Sequence, residues 1–207
     1  VSLVIFQVVG PQFFGTEPVD LEAIITVDSN DGVTGENLTF SASDSRGTLI
    51  NYLWDFGDDS DVLLGATVSY AYSLGGVYDV SLTVVDETRR SARAFTIVSI
   101  DDSFSVAGEG GNTEEFSLEV KNYAIYSSID VQTSQEGIFG SQCDIETSVI
   151  DSEGNSHTSP NNNFEFYDLL NGTWTVRMTN TGPTGGPCPG QSFSYNIDWY
   201  IDYQADS

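Results

Sequence analysis

The chain has 207 residues, and 31 acidic against six basic side chains give it a formal net charge of −25. Such a surface repels phosphate groups, which excludes nucleic acid and anionic membrane as partners. A hydrophobic content of 39% is enough for a buried core, and the length allows one or two domains. The acidity indicates either a solvated coat, as in halophilic proteins, or capture of a divalent cation.

The first predicted element is the apolar strand VSLVIFQVV, which ends at Gly10-Pro11. Its two faces are both apolar, with Val1, Leu3, Ile5 and Val9 on one and Val4, Phe6 and Val8 on the other. It is far shorter than the ~20 residues that span a bilayer. We expect a donor strand that joins a neighbouring subunit, or an edge strand folded onto the chain's own second module. With no initiator Met or visible signal peptide, the sequence predicts a processed product.

Short predicted strands separated by turns follow between residues 22 and 100. They cover residues 23–27, 37–41, 50–56, 67–72, 77–85 and 92–100. In 77–85 the side chains of Tyr78, Val80 and Leu82 share one face, and Asp79 and Ser81 lie on the other. About seven strands at this regular spacing are typical of a β-sandwich.

Two segments of this region, YLWDFGDDS and VSYAYSLGGVYDVSLTVVD, resemble the PKD domain (polycystic kidney disease repeat), an Ig-like sandwich. The matching motif residues are Trp54, Asp55, Phe56, Gly57, Asp58, Tyr72, Gly76, Tyr78 and Asp86. We interpret them as structural: the aromatic rings pack in the core, and the aspartates accept backbone N–H bonds across the turn. Some PKD domains bind calcium near the loop that corresponds to residues 43–50, where this chain has Arg46. Candidate calcium ligands here are Asp58, Asp59 and Asp61, although no cofactor is required and the spacing is not that of an EF-hand.

Residues 99–112 are rich in Asp and Gly, which predicts a hinge or a long turn between two modules. The predicted organisation is an N-terminal strand and linker at 1–18, a PKD-like sandwich at 19–101 and a second sandwich at 102–207. In the second module, SVIDSEGNSHTS, LLNGTWTVRMTNTG and GQSFSYNIDWYI resemble the pre-peptidase C-terminal (PPC) domain, a jelly roll. The fold class is therefore all-β, with two tandem β-sandwich modules.

The only two cysteines, Cys143 and Cys188, are predicted to form a disulfide. Closing this loop would stabilise the fold by about 4 kcal/mol. A zinc site with His157 is the alternative, but the cysteines lack C-x-x-C spacing. Asn37 and Asn171 begin glycosylation triplets, which fits an extracellular glycoprotein.

No nucleophile, zinc-protease or phosphate-loop motif is present in the sequence, and His157 lies in a polar loop. We therefore expect a non-enzymatic extracellular protein, with an enzyme on a β-sandwich as a remote option. The main prediction is a structural or adhesive subunit of a cell-surface assembly or filament, which self-associates or binds other surface proteins and glycans. The alternative is an accessory substrate-binding module pair of a secreted protease or polysaccharide hydrolase.

Overall fold

In the computed structural model, which describes residues 20–135, 144–181 and 192–205, every regular element is a β-strand. The all-β prediction is confirmed. Within these ranges, no helix has the length and apolarity that crossing a membrane requires. The predicted joining strand (residues 1–9) and both cysteines lie outside the described residues.

Two layers enclose the core of the first module. Its strands are β1 (Thr26–Val27), β2 (Asp31–Val33), β3 (Leu38–Ser41), β4 (Leu49–Asp55), β5 (Leu63–Leu64), β6 (Thr67–Tyr70), β7 (Gly76–Asp86) and β8 (Ser91–Gly110). A three-stranded sheet in the order β1-β3-β6 packs against the strands β5, β4, β7 and the first half of β8. Between them lie the fully buried rings of Phe40, Trp54 and Phe56. The predicted alternation in β7 is observed, with Tyr78 and Val80 inside.

The second module is also a two-layer sandwich. Its strands are β9 (Thr113–Val120), β10 (Ala124–Ser134), β11 (Asp144–Ile150), β12 (Ser156–Thr158), β13 (Asn163–Tyr167), β14 (Gly172–Thr181) and β15 (Phe193–Tyr203). One layer is a four-stranded sheet in the order β12-β11-β14-β9, and the other is β13-β10-β15 with the second half of β8. Ile129, Trp174 and Trp199 are among the buried side chains of the core between them.

The two modules share one strand, which corrects the expectation of a hinge at residues 99–112. β8 is 20 residues long and crosses this segment without interruption. It pairs with β7 from Ser91 to Ile100 and with β15 from Asp102 to Gly110. The result is a single sheet in the order β13-β10-β15-β8-β7-β4-β5.

The aspartates and glycines of this segment serve packing rather than a turn. At Gly108 and Gly110 a side chain would collide with the rings of Tyr195 and Phe193, which lie directly over the strand. The Asp101 carboxylate accepts bonds from the Tyr200 hydroxyl at 2.6 Å and the Tyr203 N–H at 3.0 Å. Residues that commonly mark turns are therefore used here inside a strand.

Asp102 joins the two modules through a buried contact. Its carboxylate, 7% exposed, accepts the Gly75 N–H at 2.7 Å and lies 3.5 Å from the Tyr203 hydroxyl. Burial raises the pKa of Asp102, and the bond from Gly75 and the positive charge of Lys121 oppose that shift without reversing it. The chain's one lysine, Lys121, donates across the same junction to the Tyr78 hydroxyl at 3.0 Å.

The strand predicted at residues 23–27 is shorter than expected, since only Thr26–Val27 is β-strand. Ser45 is the physical reason. Its hydroxyl oxygen accepts the Ile24 N–H at 2.9 Å and its O–H donates to the Ile24 carbonyl at 3.2 Å. Ile24 thus satisfies its backbone groups with a side chain instead of a neighbouring strand.

Candidate binding face on the second module

The motif residues of the first module are placed in its interior and its turns. Trp54 is fully buried, and its indole N–H donates to the Gly65 carbonyl at 2.9 Å. In the following turn, Asp55 accepts the Gly57 N–H at 3.0 Å and Asp58 accepts the Ser60 N–H at 3.2 Å. These side chains are engaged inside the module and offer little to a ligand.

Asp86 holds the turn between β7 and β8. Its buried carboxylate accepts bonds from the backbone N–H groups of Thr88 and Arg90, from the Thr88 hydroxyl and from the Arg90 guanidinium. Burial alone would raise the pKa of Asp86, but the bonds from Thr88 and Arg90 outweigh it and lower the pKa to about 2.

The candidate calcium ligands do not converge on one point. The Asp58 carboxylate accepts the Tyr70 hydroxyl at 2.6 Å, while Asp59, at φ 62°, and Asp61 are exposed. Burial raises the pKa of Asp58, but bonds from Ser60 and Tyr70 lower it overall. In the described part of the chain, no group of three or more His, Cys, Asp or Glu side chains is arranged to hold a metal ion.

The remaining predicted site residues are at the surface. Asn37 and Asn171 are both exposed, so glycosylation there stays a prediction. His157 contacts the Asp151 carboxylate through Nε2 at 2.9 Å and lies edge-on to Phe166, within the turn that Asp151 organises. It has a structural role in this turn.

A different surface combines a depression with exposed aromatic rings: the outer face of β13, β10, β15 and β8. Because side chains alternate along a strand, the neighbours of the buried Ile129 and Trp199 point outward. In register across the sheet, these outward positions bring Ser128, Tyr200 and Ser103 side by side. We call this surface the outer face.

The depression in the outer face has a volume of about 430 Å³. Its polar lining consists of hydroxyl, amide and carboxylate groups: Ser103, Ser105, Ser128, Asp130, Asn163, Asp198 and Tyr200. Burial and the hydrogen bond that the Tyr200 hydroxyl donates to Asp101 raise the pKa of Tyr200. These groups can donate to and accept from a polar ligand laid across the strands.

Two carboxylates lie opposite each other at the centre of this lining. Asp130 pairs with Asp198 across the β10–β15 ladder, an arrangement that like charges disfavour. Each carboxylate accepts a side-chain amide from its own strand, Gln132 at 3.1 Å and Asn196 at 3.0 Å. The pair thus concentrates negative charge on the face without a cation in contact among the described groups.

The outer face ends in a pair of tyrosines at one edge of the sheet. Tyr126 and Tyr167 are directly opposite in the β10–β13 ladder, with ring centroids 5.2 Å apart. Tyr167 is 68% exposed, which is high for so large an aromatic side chain. Exposed, rigid tyrosines next to hydrogen-bonding groups are typical of protein interaction surfaces.

Comparison with known proteins identifies the first module. The family model described as "PKD domain" matches residues 22–110, so this segment is a PKD domain. The match confirms the PKD resemblance, whereas the PPC resemblance of the second module stays a prediction. The PKD domain is a non-catalytic module, and for this segment the prediction of a non-enzymatic protein is confirmed as well.

Two curated relatives are longer proteins. A "Microbial collagenase" of Vibrio alginolyticus is 38% identical over 81 residues, which covers 38% of this chain and 10% of the relative. "Collagenase ColQ1" of Bacillus cereus (strain Q1) is 27% identical over 168 residues, which covers 73% of this chain and 17% of the relative. The chain thus spans less than a fifth of either collagenase.

Among solved structures, the chain is similar to the PKD1 domain of the Vibrio cholerae metalloprotease PrtV. The identity is 25%, over 38% of this chain and 93% of that chain, with a TM-score of 0.32.

Sequence reasoning missed the outer face. The one signal in the sequence is the alternation of polar positions with buried ones in β10 and β15. This alternation is common to many strands and does not mark a binding surface. Residues that are far apart in sequence come together here only through strand pairing, namely Ser105, Asp130, Asn163 and Asp198.

Proposed function

We propose that the chain is an accessory, substrate-binding module pair of a secreted protease, and that the outer face holds an extended protein substrate. The observation that carries this proposal is the outer face itself: a polar depression of about 430 Å³ and, on the same face, the Tyr126–Tyr167 pair, in which Tyr167 is exposed. Such a surface offers hydrogen bonds to a peptide backbone and flat rings to its side chains.

The relatives indicate the kind of substrate. Both curated relatives are named collagenases, and the similarity to ColQ1 extends over 168 residues, more than the PKD segment alone. We infer that the substrate is fibrous protein of the collagen type. Catalysis would belong to another part of a longer protein, and the location would be extracellular, where such substrates occur.

The charge of the chain favours the same class of partner. A net charge of −25 attracts lysine and arginine side chains, and Asp130 and Asp198 focus negative charge in the depression. A substrate that carries basic side chains at intervals would meet this face in a preferred orientation. The predicted self-associating surface subunit stays a prediction, since no described contact bears on it.

The test is co-sedimentation of the 207-residue chain with insoluble collagen fibrils, with insoluble cellulose and chitin in parallel. We expect binding to collagen, weakened about tenfold by the double substitution Tyr126→Ala/Tyr167→Ala. Leu64→Ala is the control, because Leu64 is 70% exposed but lies on the first module. Sedimentation without any fibril would indicate self-association, and binding to the polysaccharides alone would contradict the proposal.

A further inference from the structure

The first half of β8 has one edge that no described strand covers. From Ser91 to Ile100 it pairs with β7 on one side. On the other side, pairing begins only at Ser99, with β2, and continues with β15 from Asp102. Among the described residues, the stretch between Ala92 and Val98 is thus an open sheet edge.

The backbone groups that face this edge can be identified from their neighbours. The Ser99 N–H donates to the Asn30 carbonyl at 2.8 Å, and the Asn30 side chain donates to the Ile97 carbonyl at 2.6 Å. Both bonds point away from β7. Because the direction alternates along an antiparallel strand, the N–H and C=O groups of Arg93 and Phe95 also point toward the open edge.

The side chains along this edge are apolar and exposed. Phe95 is 67% exposed and Ile97 is 46% exposed. The Arg93 guanidinium lies 5.6 Å from the centre of the Phe95 ring and donates to the Thr83 hydroxyl at 3.0 Å. Natural proteins rarely leave an apolar edge of this kind open, because it invites pairing with another strand.

We propose that the chain's own N-terminal segment, VSLVIFQVV, adds to this edge as a further strand of the PKD domain. Its nine residues are enough to cover the seven residues of the open stretch from Ala92 to Val98. One of its apolar faces would cover Phe95 and Ile97, and the other would cover the half-buried Ala94 at the margin of the sandwich. Because this edge offers apolar side chains on both sides of the sheet, it would explain why the segment is apolar on both faces.

The connection is long enough for the strand to come from the same chain. The described chain begins at Asp20, and the Glu22 backbone pairs with Arg46. Nearby, the Thr48 carbonyl accepts the N–H of Glu87, in the turn that leads into β8. Residues 10–19 can span about 33 Å, more than the width of a sandwich, and a short tether favours pairing within one molecule.

Amide hydrogen exchange of the 207-residue chain tests this proposal, by comparison with a variant that lacks residues 1–9. In the intact chain we expect the Arg93 and Phe95 amides to be protected, and the deletion to accelerate their exchange at least about tenfold. The Ala94 and Thr96 amides, which face β7, are the internal control and should stay protected in both proteins. Ile5→Pro should reproduce the deletion, and Ser2→Ala should not.

The state of association decides which molecule supplies the strand. A protected edge in a monomer at every concentration supports the proposal. Protection that appears only on dimerisation, measured by light scattering, would assign the strand to a second copy and overturn it. Rapid exchange of Arg93 and Phe95 in the intact chain would overturn the docking of this segment altogether. This inference is independent of substrate binding by the outer face.

Discussion

The two modules differ in how far their important residues can be recognised from the sequence. In the first module the recognisable motif residues, such as Trp54 and Phe56, are buried and hold the sandwich together. In the second module the residues of the outer face lie at alternate positions of paired strands and form no motif. A motif with fixed spacing thus reports on the core and turns of the PKD domain, whereas the candidate binding surface depends on strand register.

The two modules are also connected by a strand that they share. β8 hydrogen-bonds to both modules, and Asp102 and Lys121 bind across their junction. We expect the modules to behave as one body, which would present the outer face at a fixed angle to whatever precedes the PKD domain.

The largest expected effect comes from two fully buried tryptophans, Trp54 in the first module and Trp199 in the second. Trp54→Ala and Trp199→Ala each remove a buried ring whose N–H is bonded, to the Gly65 carbonyl and to the Ser127 hydroxyl. Each should lower the free energy of unfolding by about 3–5 kcal/mol in urea titrations. Because β8 joins the modules, NMR signals of both should disappear in one transition. Unfolding of the mutated module alone would contradict the coupling.

The next largest loss of stability is expected when a glycine with positive φ is replaced. Gly57 in the first module and Gly154 in the second can be compared directly. A Cβ at Gly57, φ 73°, would lie 2.6 Å from the Asp79 carbonyl oxygen, whereas one at Gly154, φ 87°, would meet nothing within 4 Å. Gly154→Ala should cost about 1 kcal/mol, the strain of the left-handed region, and Gly57→Ala clearly more. If the two substitutions shifted the urea midpoint equally, the backbone around Gly57 would have to move away from the added Cβ at little cost, which would contradict this prediction.

Stability should fall as the pH rises above the acid range, and Asp102 at the junction should account for part of that fall, because burial raises the pKa of Asp202 as well. A carboxyl group whose pKa is raised on folding contributes stability that is complete below its unfolded value, 3.8, and is lost as the pH rises through the folded pKa. Asp102→Asn keeps an acceptor for Gly75 and should remove the part of this loss that Asp102 causes, whereas Asp102→Ala should cost about 1–3 kcal/mol. Urea titrations at several pH values above 3.8 compare the three proteins. An unchanged pH profile in Asp102→Asn would contradict the assignment.

In the acid range, stability should instead fall as the pH falls, because of Asp86 and Asp151, the carboxyl groups that hold two turns. Burial raises the pKa of Asp86 and of Asp151, but their hydrogen bonds, from Thr88 and Arg90 and from His157 and Asn155, lower each to about 2. A lowered pKa contributes stability that is present above 3.8 and is lost as the pH falls through about 2. Because β8 couples the modules, Asp86→Asn in the PKD domain and Asp151→Asn in the second module should each flatten the acid limb of the one common stability curve. Urea titrations between pH 3.8 and about 2 measure it, and an acid limb that neither substitution changes would contradict this assignment.

The smallest effect on stability is expected for the exposed aromatic side chains. Tyr167→Ala should change the free energy of unfolding by less than about 0.5 kcal/mol, because its ring is 68% exposed. Phe95→Ala should have an equally small effect in the variant that lacks residues 1–9, where no docked strand can cover its ring. Each urea midpoint should therefore coincide with that of the same protein without the substitution. A large shift for Tyr167 would mean that its contact with Tyr126 serves folding rather than binding.

The sequence was sufficient for the β-class and for the PKD domain, because alternation in β7 and the WDFGD turn are local signals. It was insufficient at residues 99–112, where Asp and Gly indicated a turn. There the deciding contacts are long-range: Tyr195 and Phe193 lie over Gly108 and Gly110, and Gly75 bonds to Asp102. The outer face was missed for the same reason, since Asp130 and Asp198 become neighbours only through pairing of β10 with β15.

The most direct test of the proposed function is an NMR titration of the 207-residue chain with a triple-helical collagen peptide. If the outer face binds collagen, the amide shifts will concentrate on this face, at Ser128, Asp130, Tyr167, Asp198 and Tyr200. Shifts confined to the PKD domain, or none at peptide concentrations that saturate fibril binding, would contradict it.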